Sequence, residues 1–317
     1  MKGFLLTIIS LAACVCAYAQ PGGQPFPEAK PTQGVFEVVK QDVYFPTVSY
    51  RNDVVYATKD GVDLHLQILS PSMGERKPLP CILYVQGSAW MKQNVYSCVP
   101  QMARFASRGY VVAVVEYRHT GIGPFPTQTV DAKTAIRYVR KNARRLNVDV
   151  NNIFIWGDSS GGHTSLMVAV SQDDPAIDDS YLAEESCAVN AAIAYYPPTD
   201  ISVMKDYPSA SPHNDPTSPE GLLIGGVEVA SNIEAAKKAS PIYYVSKDKP
   251  LVPIFLAAGT LDRTVPFSQT DLMAGKLQEC GKTYEYYALQ GADHGTWQFW
   301  TDEMFDKVEA FIKKYLK

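Results

Sequence analysis

Short apolar runs alternate with longer stretches of helical periodicity along most of this chain. Strands are predicted at 54–57, 64–69, 81–85, 153–156, 191–196, 251–258 and 284–289. Helices are predicted between the later strands, among them 160–171 and 267–280. Alternating strands and helices favour a mostly parallel sheet with helices on both faces, and the two adjacent strands at the beginning favour an antiparallel start. The predicted fold class is therefore α/β.

One segment, 201–239, interrupts this alternation. It carries four prolines followed by a glycine pair, namely Pro208, Pro212, Pro216, Pro219 and Gly225-Gly226. We interpret it as a small cap insertion over the active site, and an inert surface loop is the alternative that its composition leaves open. The remainder of 43–317 reads as one large domain that contains this insertion.

The N-terminus has the pattern of an export signal. Lys2 precedes an apolar stretch at 4–15, and Ala17-Tyr18-Ala19 forms a cleavage site of the A-x-A type. We expect a signal peptide at 1–19, cleaved after Ala19, which would place the protein in the periplasm or outside the cell. A lipoprotein anchored through Cys14 is the alternative. Residues 20–42 are rich in Pro and Gly and predict a tether, and no other run is long enough to predict a membrane span.

Charge and cysteine content exclude several functions. Loss of Lys2 with the signal leaves 28 Lys and Arg (29 − 1) against 33 Asp and Glu, a balance that indicates no nucleic-acid partner. Cys81 and Cys187 lie at predicted strand entries and are expected to be buried free thiols, while a single disulfide among these two, Cys98 and Cys280 is left open. Their spacing suits no metal site, and no cofactor is predicted. The oligomeric state is not determined by the sequence.

The most specific motif is Gly-Asp-Ser-Ser-Gly at 157–161. It follows the apolar run 153–156 and opens the predicted helix 160–171, which is the context of a nucleophile elbow. Glycines two residues to either side let the turn close tightly, so that Ser159 projects from the carboxyl end of a strand. The N–H of Ser160 begins the helix and points toward the place where negative charge would develop in acyl transfer.

A serine nucleophile needs a base and an acid, expected downstream in the order serine, acid, histidine. His294 follows the strand 284–289 and is the histidine in a position to serve as the base. The other four lie in an early strand, two loops and the elbow helix: His65, His119, His213 and His163. Asp262, in the loop after 251–258, is the predicted acid. Asp200 is its rival, and Asp293 should point away from His294.

These motifs together make the chain resemble the alpha/beta-hydrolase superfamily, esterase/lipase group. The resemblance runs from about residue 54 to the C-terminus, and it makes 43–317 the catalytic domain. Within this group, the chain most resembles the secreted bacterial feruloyl and acetyl-xylan esterases, the BD-FAE-like proteins. The shared positions include 116–118, 126–131, 157–163, 198–200, 240–241, 262, 265–266 and 294–295.

One loop departs from the family pattern. Where relatives carry His-Gly-Gly after the strand 81–85, this chain has Gln86, Gly87 and Ser88. The resemblance implies that the oxyanion hole is formed by the backbone N–H groups of Ser88, Ala89 and Ser160. An amide donor survives a change of side chain, but the added β-carbons restrict the loop backbone.

The resemblance implies a serine carboxylesterase that hydrolyses acetyl or feruloyl esters on plant cell-wall polysaccharides without a cofactor. Trp90 and Trp297 are predicted to form a flat wall for a sugar or an aromatic acid, with ordinary packing as the alternative for both. Three other functions stay open: a general short-chain carboxylesterase or lipase, a serine exopeptidase, and a non-catalytic binding protein on the same fold.

Overall fold

The computed structural model describes residues 47–72 and 77–317. Within these residues lie the strands β1 (Val48–Lys59), β2 (Val62–Pro71), β3 (Leu79–Val85), β4 (Val111–Val115), β5 (Val148–Asp158), β6 (Ala192–Tyr195), β7 (Ile254–Gly259) and β8 (Tyr284–Leu289). The α-helices are α1 (Val99–Ala106), α2 (Thr127–Lys141), α3 (Ala143–Leu146), α4 (Ser160–Val170), α5 (Pro219–Leu223), α6 (Ile233–Lys238), α7 (Phe267–Glu279) and α8 (Asp302–Lys314). Short 3₁₀ helices occupy Pro175–Ile177, Ile201–Asp206, Pro241–Tyr244 and Trp297–Trp300.

The strands form one mixed sheet in the order β1-β2-β4-β3-β5-β6-β7-β8. The pairs β1/β2 and β2/β4 are antiparallel, and every pair from β4/β3 to β7/β8 is parallel. The predicted α/β class with an antiparallel start is confirmed. The prediction did not include β4, a run of five buried residues, and it began β7 three residues early. Pro253, which has no N–H to donate, directly precedes β7.

Helices cover both faces of the sheet, so the central strands are apolar on both sides. In β3, Leu83 faces a core that contains α2, α4 and α7, while Ile82 and Tyr84 face a second core that contains α1 and α8. All three side chains are at most 1% exposed. Strands covered on both faces lose the alternating polar pattern and appear in the sequence as continuous apolar runs.

The segment 201–239 packs beside the carboxyl ends of β3 and β7. Its apolar side chains, including Leu223 and Val229, form a separate buried cluster with Trp90 and Val265. Backbone bonds join it to two other loops, since Ala210 N–H donates to Arg263 O (2.7 Å) and Leu223 O accepts from Phe125 N–H (2.8 Å). The segment is therefore packed against the loops that follow several strands.

The N-terminal predictions, the signal peptide at 1–19 and the tether at 20–42, lie outside the described residues. In the part of the chain that the structure describes, no helix is both long enough and apolar enough to cross a membrane. Cys81, Cys98, Cys187 and Cys280 are all buried free thiols, as expected for Cys81 and Cys187.

The turn between β5 and α4 brings backbone segments into contact without side chains between them. A β-carbon on Gly161 would lie 1.9 Å from Val85 O, and one on Gly157 would lie 2.2 Å from Gly161 O. Neither separation is sterically allowed. Glycine at both positions is thus required by the packing of the turn against the end of β3.

Gly161→Ala should lower the free energy of unfolding by at least about 3 kcal/mol, because Val85 O belongs to a central strand and cannot move away. Gly275→Ala is the matched control. Gly275 lies in α7 with open space around its missing β-carbon, so alanine should stabilise the protein by up to about 1 kcal/mol. Urea unfolding of the three proteins measures both effects, and equal stabilities for the two variants would contradict the packing argument.

Candidate active site

Ser159 lies at the tip of the turn between β5 and α4. Its backbone has φ 51° and ψ −125°, outside the usual range for a non-glycine residue. The turn is held by a bond from Ser159 N–H to Tyr195 O (2.9 Å) at the end of β6. This strained backbone directs the hydroxyl away from the sheet, and Ser159 Oγ lies 2.9 Å from Nε2 of His294.

The imidazole of His294 bridges this hydroxyl and a carboxylate. Its Nδ1 lies 2.8 Å from Oδ2 of Asp262, whose side chain is 1% exposed. The other carboxylate oxygen accepts the backbone N–H groups of Thr264 and Val265, each at 2.9 Å. Because a carboxylate only accepts, Nδ1 carries the proton and Nε2 is left as an acceptor for the serine hydroxyl.

The two other candidate acids have different partners. Asp200 accepts from Ser202 Oγ (2.5 Å) and from Tyr243 Oη (3.0 Å) at the start of the insertion. Asp293 accepts from the Arg263 guanidinium (2.7 Å), and the hydrogen bonds from Arg263 lower the pKa of Asp293 to about 2. Asp293 also accepts the backbone N–H of His294 (2.8 Å), but of the three carboxylates considered only Asp262 is hydrogen-bonded to the His294 imidazole.

The loop after β3 has one free backbone amide among the two that the family resemblance implied as donors to the oxyanion hole. Ser88 N–H donates to Ser160 Oγ (2.9 Å), so it is not available to an oxyanion in this structure. The assignment of Ser88 as a donor is corrected on this ground. Within the described residues, the N–H groups of Ala89 and Ser160 have no hydrogen-bond partner. Ala89 has φ 55°, a left-handed conformation that non-glycine residues rarely adopt.

The Asp158 side chain, directly before the serine, is hydrogen-bonded to three residues around the site. Its Oδ1 accepts from Tyr84 Oη (2.6 Å) and from Gly87 N–H (2.9 Å), and Oδ2 accepts from Tyr196 Oη (3.4 Å). The Tyr196 ring lies 4.7 Å from that of His294. Burial raises the pKa of Asp158, and these hydrogen bonds oppose the rise. Sequence reasoning missed this residue, although an acidic side chain at the end of a buried strand was a signal.

Trp90 does not line the site as predicted. Its indole is 1% exposed, and Nε1 donates to Nδ1 of His163 (3.1 Å). The other ring nitrogen of His163 donates to Ala239 O (2.7 Å) in the insertion. The prediction of Trp90 as a substrate wall is therefore corrected, because both faces of the indole are covered by packing. Trp297, by contrast, is 73% exposed.

Residues 47–72 and 77–317 contain no cluster of three or more His, Cys, Asp or Glu side chains that could hold a metal ion. The hydrogen-bonded serine, imidazole and carboxylate can supply a nucleophile, a base and an orienting acid.

A family model supports the relationship suggested by the motifs. The BD-FAE model matches residues 66–277, which is more than half of the chain. The chain belongs to the BD-FAE family.

The chain is also similar in sequence to named esterases. This BD-FAE protein is 29% identical over 228 residues to the esterase LipQ of Mycobacterium tuberculosis, covering 71% of this chain and 52% of LipQ. The chain spans about half the length of the curated relatives it matches.

Two solved structures have the same α/β-hydrolase fold. A truncated carbohydrate esterase from gut microbiota superposes with a TM-score of 0.75 at 26% identity, covering 84% of this chain and 96% of that one. Esterase 2 of Thermogutta terrifontis, phosphonylated by sarin, superposes with a TM-score of 0.69 at 25% identity, covering 87% of this chain and 98% of that one.

His163 should make the stability of this BD-FAE protein depend on pH. Burial lowers its pKa to about 4, while a histidine in the unfolded chain titrates near about 6.5. The unfolded state therefore binds the proton first, and stability should fall as pH is lowered from about 6.5 to about 4, by about 3 kcal/mol in total.

His163→Gln is the comparison, because its amide can still accept from Trp90 and donate to Ala239 but does not titrate. Urea unfolding at pH 7 and pH 4 should give a smaller loss of stability for this variant than for the parent. Equal losses would contradict a buried neutral imidazole.

Proposed function

We propose that this protein is a serine carboxylesterase that hydrolyses acetyl or feruloyl esters on plant cell-wall polysaccharides or oligosaccharides. The hydrogen-bond chain from Ser159 through His294 to Asp262, at 2.9 and 2.8 Å, is the observation that carries the proposal. This order of nucleophile, base and orienting acid is the one that acyl transfer requires.

In the proposed mechanism Ser159 Oγ attacks the ester carbonyl while Nε2 of His294 takes its proton. Asp262 holds the imidazole by Nδ1 and stabilises the imidazolium that forms. The proton then passes to the leaving alcohol oxygen, the carbon–oxygen bond to the alcohol breaks, and the acyl group stays on Ser159. Water attacks this acyl-enzyme with His294 as base, which releases the acid and restores the serine.

The oxyanion in this proposal is bound by the N–H groups of Ala89 and Ser160. Ser160 is the first residue of α4, so its N–H has no partner within the helix and lies at the positive end of the helix dipole. Ser88 contributes indirectly, because its bond to Ser160 Oγ connects the loop after β3 to the start of α4.

The two similar structures support the sugar ester as substrate and the activated serine as nucleophile. One is described as a carbohydrate esterase, which supports a sugar ester as substrate. The other is phosphonylated by sarin, a reagent that reacts with an activated nucleophile. In this proposal the segment 201–239 acts as a small cap over the active site. The contacts of this segment with the Arg263 loop support that role. We also propose that the protein is exported by way of the signal at 1–19.

Ser159→Ala should abolish hydrolysis of 4-nitrophenyl acetate, methyl ferulate and acetylated xylan, with a loss on the order of 10⁶ in turnover. Ser165→Ala is the matched control. Ser165 is a buried serine of α4, the helix that begins directly after Ser159, and its Oγ has no hydrogen-bond partner among the described residues. The control should retain full activity. Residual activity of Ser159→Ala within tenfold of the parent would overturn the mechanism, and activity limited to long-chain alkyl esters would favour a general carboxylesterase or lipase.

Asp158→Ala should lower kcat on 4-nitrophenyl acetate by roughly ten- to a hundredfold, at or below the roughly 10²–10³ that removal of an oxyanion donor costs, because the donor amides remain and only their alignment is affected. The variant frees Gly87 N–H and Tyr84 Oη, so the loop that carries Ala89 N–H keeps only the bond from Ser88 N–H to Ser160 Oγ as a hydrogen-bonded link to the serine turn. Asp158→Asn keeps an acceptor oxygen and should retain most of the activity. Thermal unfolding checks that both variants fold. An alanine variant within twofold of the parent would show that the attachment is unnecessary.

A further inference from the structure

Trp297 projects from the same loop that carries His294. It begins the 3₁₀ helix Trp297–Trp300, and the loop is closed by a bond from Thr296 Oγ1 to Asp293 O (2.9 Å). On the buried side of this helix, the Phe299 ring packs 4.5 Å from that of Tyr196. The indole of Trp297 is thus held outward on a firmly packed support, three residues from the proposed base.

A shallow groove of about 330 Å³ runs from this indole along the edge of the sheet. The strand β8 forms its floor, since β8 is the last strand and pairs only with β7. The helix α8 forms its far wall. Its lining contains the polar and aromatic residues Tyr287, Gln290, Trp297, Gln298, Glu303 and Lys307, together with Ala288, Leu289, Thr301 and Met304.

The lining of this groove is amide-rich and has no net charge. Gln290 and Gln298 supply donors and acceptors, and Glu303 pairs with Lys307 at 3.4 Å, which cancels both charges locally. The Lys307 ammonium also lies 5.3 Å from the Tyr287 ring, so that ring is already covered. Only the face of Trp297 is open for stacking.

Gln298 is the amide next to the indole along the chain. Its Oε1 is shielded from the groove and has no hydrogen-bond partner among residues 47–72 and 77–317. An unpaired buried acceptor costs free energy, and a ligand hydroxyl satisfies this one only if the side chain turns toward the groove.

These properties select one class of ligand. An exposed indole face, flanking amides and a balanced charge suit a neutral, hydroxyl-rich ring, which has both an apolar face and many donors. An anionic or cationic ligand would gain nothing from the paired Glu303 and Lys307. A long acyl chain would contact Leu289 and Met304 but would also have to cover the amides and the ion pair of this lining, which disfavours it.

We propose that this groove is a glycan subsite that binds sugar residues next to the esterified one. A polysaccharide chain would cross the His294 loop, stack one ring on Trp297 and continue along β8 toward α8. The inference rests on the proposed function for the ester itself, but the binding of an unesterified glycan can be measured without any turnover.

Acetylated xylo-oligosaccharides of two to six sugars test the subsite. For the parent, kcat/KM should rise with length. Trp297→Ala should remove that rise, with a loss of roughly three- to tenfold on the longest substrate, the size of one aromatic stacking contact. Activity on 4-nitrophenyl acetate should stay within twofold, because that ester does not reach the groove. Trp297→Phe should restore part of the length dependence.

Tyr50→Ala is the matched control. Tyr50 is another exposed aromatic residue, 43% exposed, on β1 at the opposite edge of the sheet. It should leave both activities unchanged. The same length dependence in Trp297→Ala as in the parent would overturn the subsite.

Calorimetric titration of Ser159→Ala with unacetylated xylohexaose separates the two proposals. Binding that is lost in Ser159→Ala/Trp297→Ala supports the subsite even if no ester is hydrolysed, in which case only the proposed function fails. Absence of binding, with normal hydrolysis of 4-nitrophenyl acetate by the parent, would overturn the subsite and leave the esterase proposal intact.

Discussion

The contact between the backbone at the end of β3 and the turn at Ser159 determines the geometry of the whole site. Gly161 lies so close to Val85 O that no β-carbon fits between them, and Gly157 lies equally close to Gly161 O. This contact fixes the start of α4 relative to the loop after β3. The free amides of Ala89 and Ser160 come from these two segments, so their mutual placement depends on a contact made only by glycine.

Two hydrogen-bonded links keep that contact in register. Asp158 binds the Gly87 amide, and Ser160 Oγ binds the Ser88 amide, so each segment holds the other. The Ser88 side chain adds a further link. Its Oγ donates to Met91 O (2.7 Å) and lies 2.9 Å from Tyr117 Oη. These side-chain bonds hold the loop after β3 in one conformation.

The two tryptophans predicted to line the site have opposite roles. Trp90 is turned inward and connects the loop after β3 to His163 and, through it, to Ala239 in the insertion. Trp297 is turned outward at the end of the histidine loop. One aromatic side chain thus supports the insertion, while the other leaves an open face beside the groove along β8.

The sequence by itself determined the features that depend on neighbours along the chain. The apolar run before Ser159, the glycines around it and the order of the serine, acid and histidine loops follow from local periodicity and turn sterics. Tertiary structure decided the features that depend on distant partners. The bond between Asp262 and His294 excludes Asp200 as the partner of that imidazole, Ser160 occupies the Ser88 amide 72 residues away, and His163 buries Trp90 from 73 residues away. Side-chain direction and hydrogen-bond occupancy are set by whichever groups the fold brings within about 3 Å, and no pattern along the chain specifies those groups.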